Sequence, residues 1–95
     1  MYARVTTFQS DPSRIDEMND IRNSIKGQLA DVAGLTVAYA AWNDDGSGSV
    51  MAVYESQDAA EAVQDQIASL WGQLGEVFTE PPTAVGYTNV DNMLG

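Results

Sequence analysis

The stretch from Gly34 to Ser56, GLTVAYAAWNDDGSGSVMAVYES, constrains this chain more than any other. Two apolar runs, Leu35–Trp42 and Val50–Tyr54, flank the polar, glycine-bearing connection Asn43–Gly48. Short runs rich in β-branched and aromatic residues around such a turn read as a β-hairpin. The turn side chains tolerate left-handed backbone. A strand with one solvated face alternates apolar and polar residues, and these strands do not. Leu35, Val37, Tyr39 and Ala41 are expected to point one way, and Ala38, Ala40 and Trp42 the other. In the return strand Met51 and Val53 oppose Val50, Ala52 and Tyr54. Both faces of the resulting sheet therefore need cover.

The rest of the chain supplies one layer of that cover. Tyr2–Gln9 reads as a strand with Tyr2, Arg4, Thr6 and Phe8 on one face. Asp11-Pro12 offers a helix N-cap followed by proline at the first helical position. Ile15, Met18, Ile21, Ile25, Leu29 and Val32 then recur at spacings of three or four, the stripe of an amphipathic helix. Asp16, Glu17 and Asp20 in its early turns and Lys26 later suit the helix dipole. Gly27 is a point of possible interruption, and Gly34 an end signal. After the hairpin, Ser56 and Asp58 compete as N-cap of a second helix, with Asp58 and Glu61 spaced for reciprocal capping. Its stripe is Ala60, Val63, Ile67, Leu70, Trp71 and Leu74. Gly72 and Gly75 weaken its end, and Pro81-Pro82 forbids continuation. Thr83–Val90 reads as a last strand with Val85 and Tyr87 on one face, and 91–95 as a loose tail.

The order β-α-β-β-α-β predicts one α+β domain spanning residues 1–95, of ferredoxin-like βαββαβ arrangement. Two helices pack on one face of a four-stranded antiparallel sheet. Nothing in the chain is left for the other face, so a second copy is its economical cover. The expectation is a homodimer with sheets packed face to face.

Composition excludes whole classes of chemistry. There is no Cys and no His among the 95 residues. That removes disulfides, thiolate nucleophiles, Ser-His-Asp triads and His- or Cys-ligated zinc or haem. The net charge of −10 opposes nucleic acid and anionic membranes as partners. Arg4, Arg14, Arg22 and Lys26 are the only cations, and the acids after Lys26 have no cation beside them in sequence. With no cationic apolar leader and no long apolar span, the chain reads as soluble and cytoplasmic. Asp44-Asp45-Gly46, with Glu55 eleven residues after Asp44, imitates a calcium loop. Gly46 and Gly48 fill positions that need side-chain oxygens, so it reads as a hairpin turn, with no metal site. Gly46-Ser47-Gly48 lacks the Lys and the following helix of a phosphate loop.

The opening Met1-Tyr2-Ala3-Arg4-Val5-Thr6-Thr7-Phe8, Asp11-Pro12 before the first helix, and Tyr54-Glu55-Ser56 running into the second resemble the antibiotic-biosynthesis-monooxygenase family. The resemblance covers roughly Tyr2 to Val90 and consists of fold signatures more than catalytic ones. It implies a dimeric α+β barrel, in agreement with the sheet argument. It also implies two activities. Some members oxidise anthrone-like polycyclic phenols with O₂ and no prosthetic group, the protein supplying an apolar cleft and polar groups for the phenolate. Others degrade haem, using an Asn on strand one and a Trp and a His ligand on helix two. This chain has no His and no Asn in its first strand, and Trp71 lies toward the helix end, so the haem-degrading reading is rejected.

The cofactor-free oxidation of a phenolic or quinol-type aromatic is the leading expectation. A non-catalytic small-molecule-binding or structural homodimer of the same fold is the alternative. Candidate residues follow from type and placement. Trp71 is placed to stack on a flat substrate, against the plain alternative of core packing. Arg4, the one cation in a strand, could hold a phenolate or pair with an acid at the rim. Tyr39 and Tyr54, on adjacent strands, could position a substrate oxygen or pack at the dimer interface. Trp42 suits a cleft mouth or an interface anchor. Asn23, between Ile21 and Ile25, faces the cleft or solvent. With no His, a general base must be a carboxylate, a Tyr or water.

Overall fold

A computed structural model describes residues 1–95. Strands β1 (Tyr2–Gln9), β2 (Leu35–Trp42), β3 (Ser47–Tyr54) and β4 (Thr83–Tyr87) form one antiparallel sheet in the order β2-β3-β1-β4. Helix α1 (Ile15–Leu29) joins β1 to β2. Helices α2 (Gln57–Ala62) and α3 (Gln64–Leu74) join β3 to β4. This is the ferredoxin-like α+β arrangement, with the helices on one face of the sheet. No helix is long and apolar enough to cross a membrane.

The capping chemistry explains where the helices start. The Asp11 carboxylate accepts from the Ser13 N–H at 2.9 Å and the Ser13 hydroxyl at 2.7 Å. Pro12–Arg14 is a 3₁₀ turn, so the α-helix begins at Ile15 and not at the proline. The helix runs through Gly27 and ends at Leu29, before Val32 and Gly34. Ser56 wins the competition for the second cap: its hydroxyl accepts from the Ala59 N–H at 3.0 Å. The second helix is broken at Val63, whose φ of −110° and ψ of 12° leave the helical region. Continuation then runs through Gly72 to Leu74 and a 3₁₀ turn, Gly75–Val77. Residues 91–95 are exposed and outside any strand or helix.

Three strand details differ from the sequence reading. The hairpin turn is shorter, because Ser47 and Gly48 already pair within β3. The last strand stops at Tyr87. A register shift between Leu35 and Val37 inserts one extra residue, and the Thr36 hydroxyl donates to the Val53 carbonyl at 3.0 Å. A one-residue insertion flips every earlier side chain. Leu35 consequently joins Ala38, Ala40 and Trp42 on the helix side. There it packs with Tyr2, Tyr54 and Ala60, the buried cluster beneath α2.

The register writes the open face in rows. Tyr39, Met51, Val5 and Val85 are direct cross-strand partners across all four strands. Val37, Val53, Ala3 and Tyr87 form the neighbouring row. Neither row contains a charge. Val37, Tyr39, Met51, Val85 and Tyr87 are 37%, 72%, 45%, 49% and 50% exposed. The next row, Ala41, Ser49, Thr7 and Thr83, turns polar.

The β2–β3 turn is locked at its base. Asp45 accepts from the Ser47 N–H at 2.9 Å and the Ser47 hydroxyl at 2.6 Å, which holds its carboxyl below the usual value of 3.8. These are turn contacts, and no cluster of three metal-binding side chains exists. A lowered folded pKa means stabilisation that is complete above the unfolded value and lost as pH falls through the folded one. Asp45→Asn is therefore expected to lower the urea midpoint at about pH 7 and to lower it by less at about pH 2. Equal deficits at both pH values would remove the charge from this account.

Candidate functional site

One large cavity, about 370 Å³, lies between the helices and the sheet. That volume is within the ordinary range of small-molecule sites. Seventeen of its 19 lining residues are hydrophobic, so its interior suits an apolar ligand. α1 contributes Met18, Ile25 and Leu29, and α3 contributes Ile67, Leu70 and Leu74. The two helices are tied by reciprocal Gln28–Gln73 amide hydrogen bonds at 3.1 and 3.3 Å. The sheet supplies the floor. On its edge strand β2, Ala38, Tyr39 and Ala40 are exposed lining residues. The cavity is open along that edge.

An aromatic cluster closes one end. Phe8 and Phe78 stack at 5.3 Å between centroids, 22° apart. Trp71 tilts against both, at 6.3 Å from Phe8 and 6.0 Å from Phe78. Phe78 is brought there by the bridge it forms with Ser10, just past β1. Trp71 is thus both packed and lining, and it also borders a second, smaller cleft of about 280 Å³. Tyr54 lines the large cavity from β3 and is 1% exposed. Burial raises its phenol pKa above 10, opposed in part by the nearby Arg4 charge. Burial thus favours the protonated phenol.

The remaining sequence candidates are dispersed. Arg4 borders the smaller cleft with Thr6 and Gln64, and its guanidinium carbon is 5.7 Å from the Tyr2 ring centroid. Tyr39 and Tyr54 are not cross-strand neighbours: Tyr39 pairs with Met51, and Tyr54 with Leu35 and Tyr2. They also lie on opposite faces of the sheet. Trp42 lines the large cavity. Asn23 is exposed on α1 and lines neither cleft.

Two lining residues were not singled out from sequence. Arg22 and Lys26 stand one turn apart on α1 and are the only charged residues lining the large cavity. The Arg22 guanidinium carbon lies 4.7 Å from the Trp42 ring centroid, a cation–π contact. The signal was available, because Arg22 falls four residues after Met18 and three before Ile25, on the stripe itself. No Asp or Glu lines either cleft.

No protein-family model and no curated protein matches the chain. Solved structures do. A Caulobacter crescentus CB15 protein assigned as an antibiotic biosynthesis monooxygenase superposes with a TM-score of 0.80 at 18% identity, over 95% of this chain and 90% of that one. A Nitrosomonas europaea protein with the same assignment gives 0.77 at 13% identity, over 96% and 100%. SnoaB, a cofactor-independent oxygenase from Streptomyces nogalater, gives 0.75 at 15% identity, over 97% and 95%. At these identities the likeness is one of fold. The fold is that of the antibiotic-biosynthesis-monooxygenase-like structures, as the opening residues and the Asp11-Pro12 and Tyr54-Glu55-Ser56 segments imply.

Proposed function

We propose that this chain binds a flat phenolic ring system in the large cavity and promotes its oxidation by O₂ without a prosthetic group. The observation that carries the reading is the cavity itself: a nearly all-apolar void, walled by Trp42, Trp71 and Tyr54, in a chain without His or Cys. The overall balance is R₂CH₂ + O₂ → R₂C=O + H₂O. A C–H proton leaves to solvent as the substrate's enolate forms; the enolate passes one electron to O₂, the resulting radical and superoxide combine through a C–O bond, and the peroxide anion takes up a proton and loses water. The protein excludes water, orients the rings and donates the Tyr54 O–H to the substrate oxygen. The active form is a homodimer in which the apolar rows of two open sheet faces cover each other.

A second reading, a binding module without catalysis, is favoured by the lack of any carboxylate lining the clefts to act as base. Oxygen-electrode assays over a panel of anthrones and quinols separate the two. The expected result is uptake above the uncatalysed rate, with Tyr54→Phe lowering kcat roughly a hundredfold and KM little changed. Uptake that never exceeds the uncatalysed rate, with binding intact, decides for the module.

A further inference from the structure

Only one ion pair exists in a chain with fourteen acids: Arg14 with Glu17, at 2.8 Å. Arg4, Arg22 and Lys26 have no carboxylate within 4.0 Å, and each borders a cleft. Three of the four cations are thus unpaired although the chain carries a net charge of −10. Two of the three line the same wall of the large cavity. The Arg22 Nε is buried and has no hydrogen-bond partner. The Trp42 ring holds the guanidinium in place, while Lys26 is exposed on the next turn.

We infer that the ligand of this cavity carries a permanent carboxylate, held by Arg22 and Lys26 while its apolar rings fill the space toward Trp71. The inference rests on the cavity being the ligand site, as proposed above, and narrows what enters it: an aromatic acid in preference to a neutral ring system of the same shape. Charge-assisted hydrogen bonds of this kind are about twice as strong as neutral ones, and a guanidinium fork matches two carboxylate oxygens. The wide excess of acids elsewhere repels such a ligand in general. The unpaired pair on α1 makes one wall of one cavity the place where it is accepted.

The test is a binding comparison read by quenching of Trp42 and Trp71, both of which line the cavity. Anthracene-2-carboxylate and its carboxamide are titrated into the full chain. The acid is expected to bind at least about tenfold more tightly than the amide. Arg22→Leu and, separately, Lys26→Met should erase most of that preference, weakening the acid far more than the amide. Lys26 is exposed, so its variant keeps the test open if Arg22→Leu fails to fold. Equal affinity for acid and amide, or equal loss of both in the Lys26 variant, overturns the inference alone. Charge-selective binding without O₂ consumption upholds it and overturns only the oxidation. Failure of both probes to bind overturns the inference together with the cavity reading.

Discussion

Met51→Lys is expected to convert a dimer into a folded monomer. Met51 sits at the middle of the apolar row, paired with Val5 on one side and Tyr39 on the other. In a face-to-face dimer with two-fold symmetry each copy brings the same residue, so one substitution places two ammonium groups in the contact. Neither row holds an acid to receive them. Desolvating an unpaired polar or charged group costs about 2 kcal/mol or more per copy, hence about 4 per dimer. That weakens association roughly a thousandfold. The substitution leaves the helix side of the sheet untouched, so the far-UV circular dichroism should be retained. Sedimentation equilibrium at micromolar concentration checks the outcome. A parent chain that sediments as a monomer, or a Met51→Lys chain that remains a dimer, ends the two-faced-sheet argument.

That argument was legible because it needed only the absence of alternation. Val37, Tyr39, Met51 and Val53 are apolar in a hairpin whose other face is also apolar, and no register can hide both. Helix positions were legible for a similar reason, since Met18, Ile25 and Leu70 repeat at the helical period and are indeed buried or lining. Leu35 was misplaced because a bulge is set by local backbone hydrogen bonds. The Thr36 hydroxyl bonding to Val53 leaves no mark in a hydrophobic pattern. Val63 broke the second helix although its side chain fits the stripe, because the stripe records burial and not backbone continuity.

The site was less legible than the fold, and the reason is charge. Trp42 and Tyr54 were identifiable as large aromatics on strands, and Trp71 on the helix stripe that faces the sheet. Lys26 was read as a charge that suits the helix dipole, and Arg22 only as one of four cations. The position of Arg22 on the apolar stripe was the one mark that the helix offered. Only the tertiary packing reveals that both border a cavity and have no acid within reach. Arg4 attracted notice as a cation in a strand, yet the packing of α3 over β1 gives it a different cleft. Asn23, one residue along the helix from Arg22, turns away by about 100° and is exposed.

Gly46→Ala is expected to destabilise the chain by about 3 kcal/mol or more, while Gly27→Ala stabilises it by about 0.5–1 kcal/mol. The chemical change is identical, and the surroundings reverse its sign. Gly46 has φ of +88°, a region that L-residues rarely occupy. A Cβ there would overlap the Ser10 carbonyl, with the carbonyl carbon only 2.9 Å away. Ser10 cannot yield, because it is fully buried and both its N–H and its hydroxyl donate to the Gly46 carbonyl, at 2.8 and 2.7 Å. The Gln9 amide adds a bond to the Asp45 carbonyl at 2.8 Å. Next in the chain, the Asp11 N–H donates to the Val77 carbonyl at 2.7 Å, tying this corner to the turn after α3. Moving Ser10 therefore disturbs the hairpin, β1 and the helix return together. Gly27, by contrast, lies inside α1 with nothing within 4 Å of an added Cβ, so alanine there only restricts the unfolded chain and favours the helix. Urea midpoints moving in opposite directions at constant m-value are the expected result. A Gly46→Ala chain as stable as its parent would mean that the Ser10 clamp is not where the sheet is held to the turn.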